Sequence, residues 1–426
     1  MQIQAIKPYS LGQHQKLHEV YCKPNPNYLQ ASVMPQQVFA QNVYGINFGA
    51  KKTNSFFEQE IAEQPKVISA LSKKYLSKTG TVNMNLNITP EEMRNIKRIT
   101  VIASGSSKNA GEMAAEFIEE VTEIPVTVAS ASEFMFKDAP MNSKEDLAIF
   151  ISQSGGTADT LSALTKLKKD GIKTFAVTNN YRSKIAKNAD SQVYINAGEE
   201  KAVAATKTVT SSIYSLMAMG LKLAEIKGSL HTNGIKHYQE ELKKVPHLIE
   251  FMIDDLEDVK KAADVISKSD NIYYYAKGSN VGSAKEGALK LTETTGKRVI
   301  ADSSSEALHG TFASIKPDDP VVQILSSLDD ADSGYTVSVD NINEMIKKRN
   351  IKHPIIFQEY RDSNIDDKII SKDAIFIDMP ISSSLISPIL NTVRFQQITN
   401  EVTKNLNINP DNGGGFLTKY RNNMSM

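Results

Sequence analysis

The 426-residue chain contains one cysteine, Cys22, and no tryptophan. A single cysteine excludes an intramolecular disulfide and any site built from several thiolates. The reducing cytoplasm is the compartment expected for such a chain. A surplus of one charge is also missing, since 49 Lys+Arg balance 49 Asp+Glu. Nucleic-acid binders usually carry a basic excess, so a nucleic-acid partner is not expected. No apolar run approaches the ~18–20 residues that span a bilayer. The opening MQIQAIKPYSLGQHQ lacks the charged start and apolar stretch of a signal peptide, so a membrane is not expected either. No His/Cys/Asp cluster has metal-ligand spacing, which argues against a structural zinc.

What is present fits a globular protein. Hydrophobic residues make up 40% and charged residues 23%, and the length suits two or three domains. Residues 1–50 are rich in Gln, Asn, Pro and Tyr without periodicity and read as a disordered tail. Residues 51–95 form a helical opening segment, with the helix in FFEQEIAEQPKVISALSKKYL interrupted near Pro65. Between 96 and 228, β-branched runs such as KRITVIAS, DLAIFIS and KTFAVTN alternate with helical stretches. Residues 229–268 read as a helical connector punctuated by Pro246. The strand, Ser/Gly turn and helix grammar then restarts over 269–405, with DNIYYYAKGS, PVVQILSS, PIIFQEY and DAIFIDM as strands. Residues 406–426 form a C-terminal tail. Alternating strands and helices predict the α/β class, with parallel sheets flanked by helices on both faces.

Two turns stand out. SGSS (Ser104–Ser107) and SQSGGT (Ser152–Thr157) each follow a strand and open a helix. In open α/β sheets ligands bind beyond the carboxyl ends of the strands, where helix N-termini offer free N–H groups. Such turns suit a phosphate monoester, although serines there also serve as plain helix caps. Neither turn matches G-x-x-x-x-G-K-[ST] or G-x-G-x-x-G, which disfavours nucleoside triphosphates and dinucleotides. In EGALKLTE, Glu286, Lys290 and Glu293 share one helix face, as a solvated ion-pair ladder also would. His309 stands in SSSEALHGT, three residues after Glu306.

At SQSGGTADT, EGALKLTE and EALHG the chain resembles the sugar-isomerase (SIS) family, in particular the isomerase half of glucosamine-6-phosphate synthases. The likeness runs from FFEQEIAEQP (Phe56–Pro65) through SEF (Ser132–Phe134) and VAATKT (Val203–Thr208) to LTK (Leu417–Lys419). It implies two tandem SIS domains, each a doubly wound five-stranded parallel sheet, in a homodimer with shared active sites. Carried over by motif, Ser107, Ser152, Gln153, Ser154 and Thr157 hold the sugar phosphate, and Val203 lines the sugar. Glu293 is the base moving a proton between C1 and C2, and Lys290 is the cation at the reacting oxygens. His309 opens the ring from across the dimer, and Lys419 forms an imine with the ketose. No metal and no organic cofactor is implied.

The expected reaction interconverts glucosamine 6-phosphate and fructose 6-phosphate plus ammonia. Alternatives are a fructosamine-phosphate deglycase, a simple aldose–ketose isomerase, and a non-catalytic sugar-phosphate sensor. Departures bear on this choice. Gln2 replaces the cysteine expected of an N-terminal glutaminase, so nitrogen is expected as ammonia or from a separate amidotransferase. Gly156 replaces the usual acid of SQSGE, Thr311 replaces the proline of HGP, and the tail reads NPDNGGGFLTKY.

Overall fold

The computed structural model describes residues 55–136, 140–325, 334–359 and 365–415. The expected tail over 1–50 and Lys419 lie outside the described residues.

Helix α1 (Phe56–Tyr75) runs unbroken through Pro65. A proline strands the carbonyl four residues earlier. Here that carbonyl, Ile61 O, accepts the Gln64 side-chain amide at 3.2 Å, so the interruption expected at Pro65 does not occur. The first sheet follows: β1 (Arg98–Ala103), α2 (Gly105–Thr122), β2 (Val126–Ser130), β3 (Asp146–Ile151), α3 (Ala158–Lys169), β4 (Lys173–Thr178) and β5 (Ser191–Tyr194). Helix α4 (Lys207–Lys227) closes that unit, and α5 (Thr232–Ile253) and α6 (Glu257–Ser267) connect it onward. Helix α5 also passes through its proline, Pro246. Its stranded carbonyl, Leu242 O, accepts the Tyr214 hydroxyl at 3.3 Å.

The second sheet is made by β6 (Asn271–Ala276), α7 (Asn280–Thr295), β7 (Arg298–Ser303), β8 (Val321–Ile324), α8 (Thr336–Arg349), β9 (Pro354–Glu359) and β10 (Ile375–Met379). Helix α9 (Ser387–Asn405) ends it. Both sheets are parallel and five-stranded, with orders β2-β1-β3-β4-β5 and β7-β6-β8-β9-β10. The repeated design is therefore one topology used twice. In each sheet the order reverses between its first and third strands, the place where α/β sheets open a crevice.

One apolar core runs from the first sheet through α2, α4, α7 and α9 into the second sheet. Glycines let these helices approach closely. A Cβ on Gly282 of α7 would lie 2.7 Å from Met113 Cγ of α2, and one on Gly287 would lie 2.5 Å from Phe395 Cγ of α9. The second unit thereby presses α7 against a helix of the first.

Candidate active site

The two first-sheet turns leave neighbouring strands, and Ser152 is buried at the base of the second, 2% exposed. Ala103 and Ile151 are register partners at the ends of β1 and β3, so Ser104 and Ser152 leave the sheet side by side. The two residues at the cap positions are not occupied as helix caps. Neither Ser104 before α2 nor Thr157 before α3 makes a side-chain cap bond. Ser107 stands half-buried on the first turn of α2, Gln153 and Thr157 are half-buried, and Ser154 is exposed. The second turn is stiffened from inside. Ser152 Oγ lies 2.9 Å from Thr157 Oγ1, and the Gly155 N–H donates to Ser152 Oγ at 3.0 Å. Two hydroxyl-bearing helix starts, where backbone N–H groups lack helical partners, thus stand on adjacent strands at the switch point of the sheet.

Helix α7 brings the charged group to this place. It lies antiparallel to α2: the Ser279 N–H at its start meets Glu116 at 3.0 Å, whereas Lys290, late in the helix, meets the first turn of α2. Lys290 Nζ donates to Ser106 Oγ at 2.9 Å and to Glu293 Oε2 at 2.6 Å, and lies 3.4 Å from Glu286 Oε1. Asn109 Nδ2 donates to the other Glu286 oxygen at 2.8 Å. The ladder is therefore no solvated face. The Lys290 and Glu286 side chains are 2% and 0% exposed, while Glu293 keeps 21% and is the carboxylate a ligand can reach. Burial pushes the Glu286 carboxyl above its usual range against the pull of Lys290 and Asn109. Burial alone would lower Lys290, but Glu286 and Glu293 together hold its ammonium above the ordinary value.

A third wall comes from the loop before α4. Val203 is half-buried there. Glu200 in the same loop accepts the Thr206 and Thr208 N–H groups at 2.9 and 3.1 Å, and its charge reaches Lys290.

His309 is not brought to this group within one chain. It is exposed, just after the short helix Ser304–Ala307 at the end of β7. Nearby Leu308 and Phe312 pack on the Tyr273/Tyr275 face of the second sheet, and Thr311 Oγ1 lies 3.2 Å from Tyr275 Oη. Helix α7 covers the opposite face through Ala284, Ala288 and Leu291. Glu293 is also roughly 20 Å along α7 from its start at the strand ends. Sequence reasoning passed over the contacts that Ser106, Asn109 and Glu200 make with this group and the complete burial of Glu286 within it. The signal lay in SGSSKNAG and EGAL, but which hydroxyl faces the second unit depends on the helix crossing.

The SIS domain description matches residues 92–222 and 265–387. The chain belongs to the SIS family. Its two SIS segments coincide with the two sheets. Glutamine–fructose-6-phosphate aminotransferase of Clostridium perfringens is 31% identical over 353 residues, 82% of this chain and 56% of that protein. The Clostridium tetani protein of the same description is 33% identical, over 80% of this chain and 54% of its own length. The SIS chain thus spans about half the length of the curated relatives it matches, and it is homologous to their isomerase half. The solved C-terminal domain of glucosamine-fructose-6-phosphate aminotransferase from Francisella tularensis superposes with a TM-score of 0.75 at 27% identity. That match covers 83% of this chain and 96% of that one.

Proposed function

We propose that the chain interconverts glucosamine 6-phosphate and fructose 6-phosphate, with ammonia leaving or entering at C2. The observation that carries this reading is Lys290, an ammonium sealed between Glu286 and Glu293 and tied to Ser106 of the phosphate-cradle lobe. The phosphate sits on Ser107 and the Ser152–Thr157 turn, which leaves the C1–C2 end of the sugar toward α7. Glu293 removes the C2 proton of the open-chain amino sugar and returns it to C1. A carboxylate beside both carbons suits that shuttle. Negative charge developing on O1 is balanced by the Lys290 ammonium, which needs no reorientation during the step. The resulting C2 imine exchanges ammonia for the Lys419 amine, and water then releases the ketose.

His309 opens the ring in this scheme, and it does so from a second copy, because its own chain holds it across the sheet from α7. A sensor would need the phosphate cradle but not a buried cation with one accessible carboxylate.

The test supplies purified protein with glucosamine 6-phosphate and measures ammonia and fructose 6-phosphate. Equal yields are expected. Glu293→Gln should lower kcat about 10²–10⁴-fold and leave substrate affinity nearly unchanged. Sugar-phosphate binding without any turnover in the parent protein would leave a sensor, and aldose–ketose conversion without ammonia a plain isomerase.

A further inference from the structure

We infer that Asp411 is a positioning residue of this site; the inference rests on the reaction just proposed. Asp411 lies in the 3-10 turn Pro410–Gly415, which packs against α7, the helix carrying Glu286, Lys290 and Glu293. Its carboxylate accepts the Phe56 and Phe57 N–H groups at 2.9 and 2.8 Å. These are the first two residues of α1, where N–H groups lack helical partners and negative charge is stabilised. Its backbone carbonyl accepts the Val203 N–H at 3.0 Å. One residue therefore joins the C-terminal stem, the opening helix and the loop that lines the sugar.

The opening helix reinforces this junction. Glu60, one turn along, accepts the Ala202 N–H at 3.4 Å and the Lys201 N–H as well. Phe57 and Ile61 pack on Ala202 and Ala204. The phosphate cradle stands elsewhere, on the β3–α3 turn, so it does not depend on this clamp. Charge-assisted bonds to two N–H groups are strong for their size, and misplacement of a reacting group by about 1 Å can cost roughly 10²-fold in rate. Loss of Asp411 should accordingly affect the chemistry more than the grip on phosphate.

The experiment compares the full chain with Asp411→Ala and Asp411→Asn. Glucosamine 6-phosphate turnover, calorimetric binding of the same sugar, and amide exchange over 56–58 and 201–205 are measured. For Asp411→Ala we expect kcat about tenfold or more below parent, with a smaller rise in KM because the loop bearing Val203 is also released. Binding should keep its parental stoichiometry, which a partly unfolded population would not. Exchange should accelerate in both segments. Asp411→Asn, which retains one acceptor oxygen, should recover part of kcat. Parental kcat in Asp411→Ala, or reduced binding stoichiometry matching the loss of kcat, overturns the inference. If the parent releases no ammonia, the proposed reaction fails, and the exchange measurement still decides the clamp: unchanged exchange over 201–205 refutes it.

Discussion

Ser106 on the first turn of α2 accepts a hydrogen bond from Lys290 on α7 at 2.9 Å, across 184 residues of sequence. The bond joins the lobe that carries the two Ser/Gly turns to the lobe that supplies Glu286, Lys290 and Glu293. Antiparallel crossing of α2 and α7 makes it possible, and Gly282 permits that crossing by leaving room for Met113. The ammonium is consequently aimed before any ligand arrives.

Lys290 is the only counter-charge within bonding distance of the sealed Glu286 carboxylate among the described residues. Lys290→Met should therefore destabilise the fold by roughly 3–5 kcal/mol, the usual result of stranding a buried charge. The double variant Lys290→Met/Glu286→Gln should regain more than half of that loss, because a neutral amide needs no cation. Denaturant melts of the two singles and the double form the cycle that measures the coupling. Additive losses would mean that the two side chains do not support each other.

Glu60 carries a pH dependence whose sign is fixed by its surroundings. Burial raises its pKa to about 7, with Glu200 adding to the rise and the Lys201 and Ala202 N–H groups and Lys207 opposing it. A carboxyl that holds its proton more tightly when folded makes stability fall as pH rises from about 4.5 to about 7, then level off. The drop amounts to about 3 kcal/mol at most. Glu60→Gln removes this contribution, so its melting temperature should change less than the parent's between pH 4.5 and 7. Glu286 has a shift of the same sign and remains in both proteins. Parallel melting profiles for parent and variant would show that Glu60 does not titrate in this window.

Both sheets were legible in the sequence because β-branched runs and Ser/Gly turns alternate regularly. The two prolines misled, since their breaks are repaired by partners distant from local pattern: the Gln64 amide for Ile61 and the Tyr214 hydroxyl for Leu242. Helix α9 gave no amphipathic signal. Residues Pro388–Thr403 are buried all round, including Thr392, Arg394, Gln396 and Gln397, so no polar face exists to mark its period. The Glu286/Lys290/Glu293 spacing suited a surface ladder equally well. Only packing against α2 and α9, set by Gly282 and Gly287, turns that face inward.

The placement of His309 across the second sheet from α7 predicts complementation between inactive variants. Glu293→Gln and His309→Ala should each be nearly inactive alone. Unfolding and refolding an equal mixture should restore about a quarter of parental turnover. In the proposed two-fold dimer half of the random pairings are hybrids, each with one intact site of two. No recovery from a mixture shown to contain hybrids would place His309 outside the partner's reaction.

Gly155 and Gly156 are neighbours with opposite tolerance, and the contrast tests the phosphate cradle. Gly155 has φ +64°, and a Cβ there would meet Ser183 Oγ at 2.2 Å and Thr178 Oγ1 at 2.9 Å. Its N–H also holds Ser152 Oγ, so displacing it moves the hydroxyl assigned to phosphate. A Cβ on Gly156 would come no closer than 3.9 Å, to Ser154 Oγ. Gly155→Ala should raise KM for glucosamine 6-phosphate about tenfold or more, as loss of one charge-assisted bond to phosphate would. Gly156→Ala should leave KM within about twofold, since it neither clashes nor removes a donor. Steady-state kinetics on both proteins checks the pair. Equal effects at the two positions would mean that the turn does not hold the phosphate through the Ser152 hydroxyl.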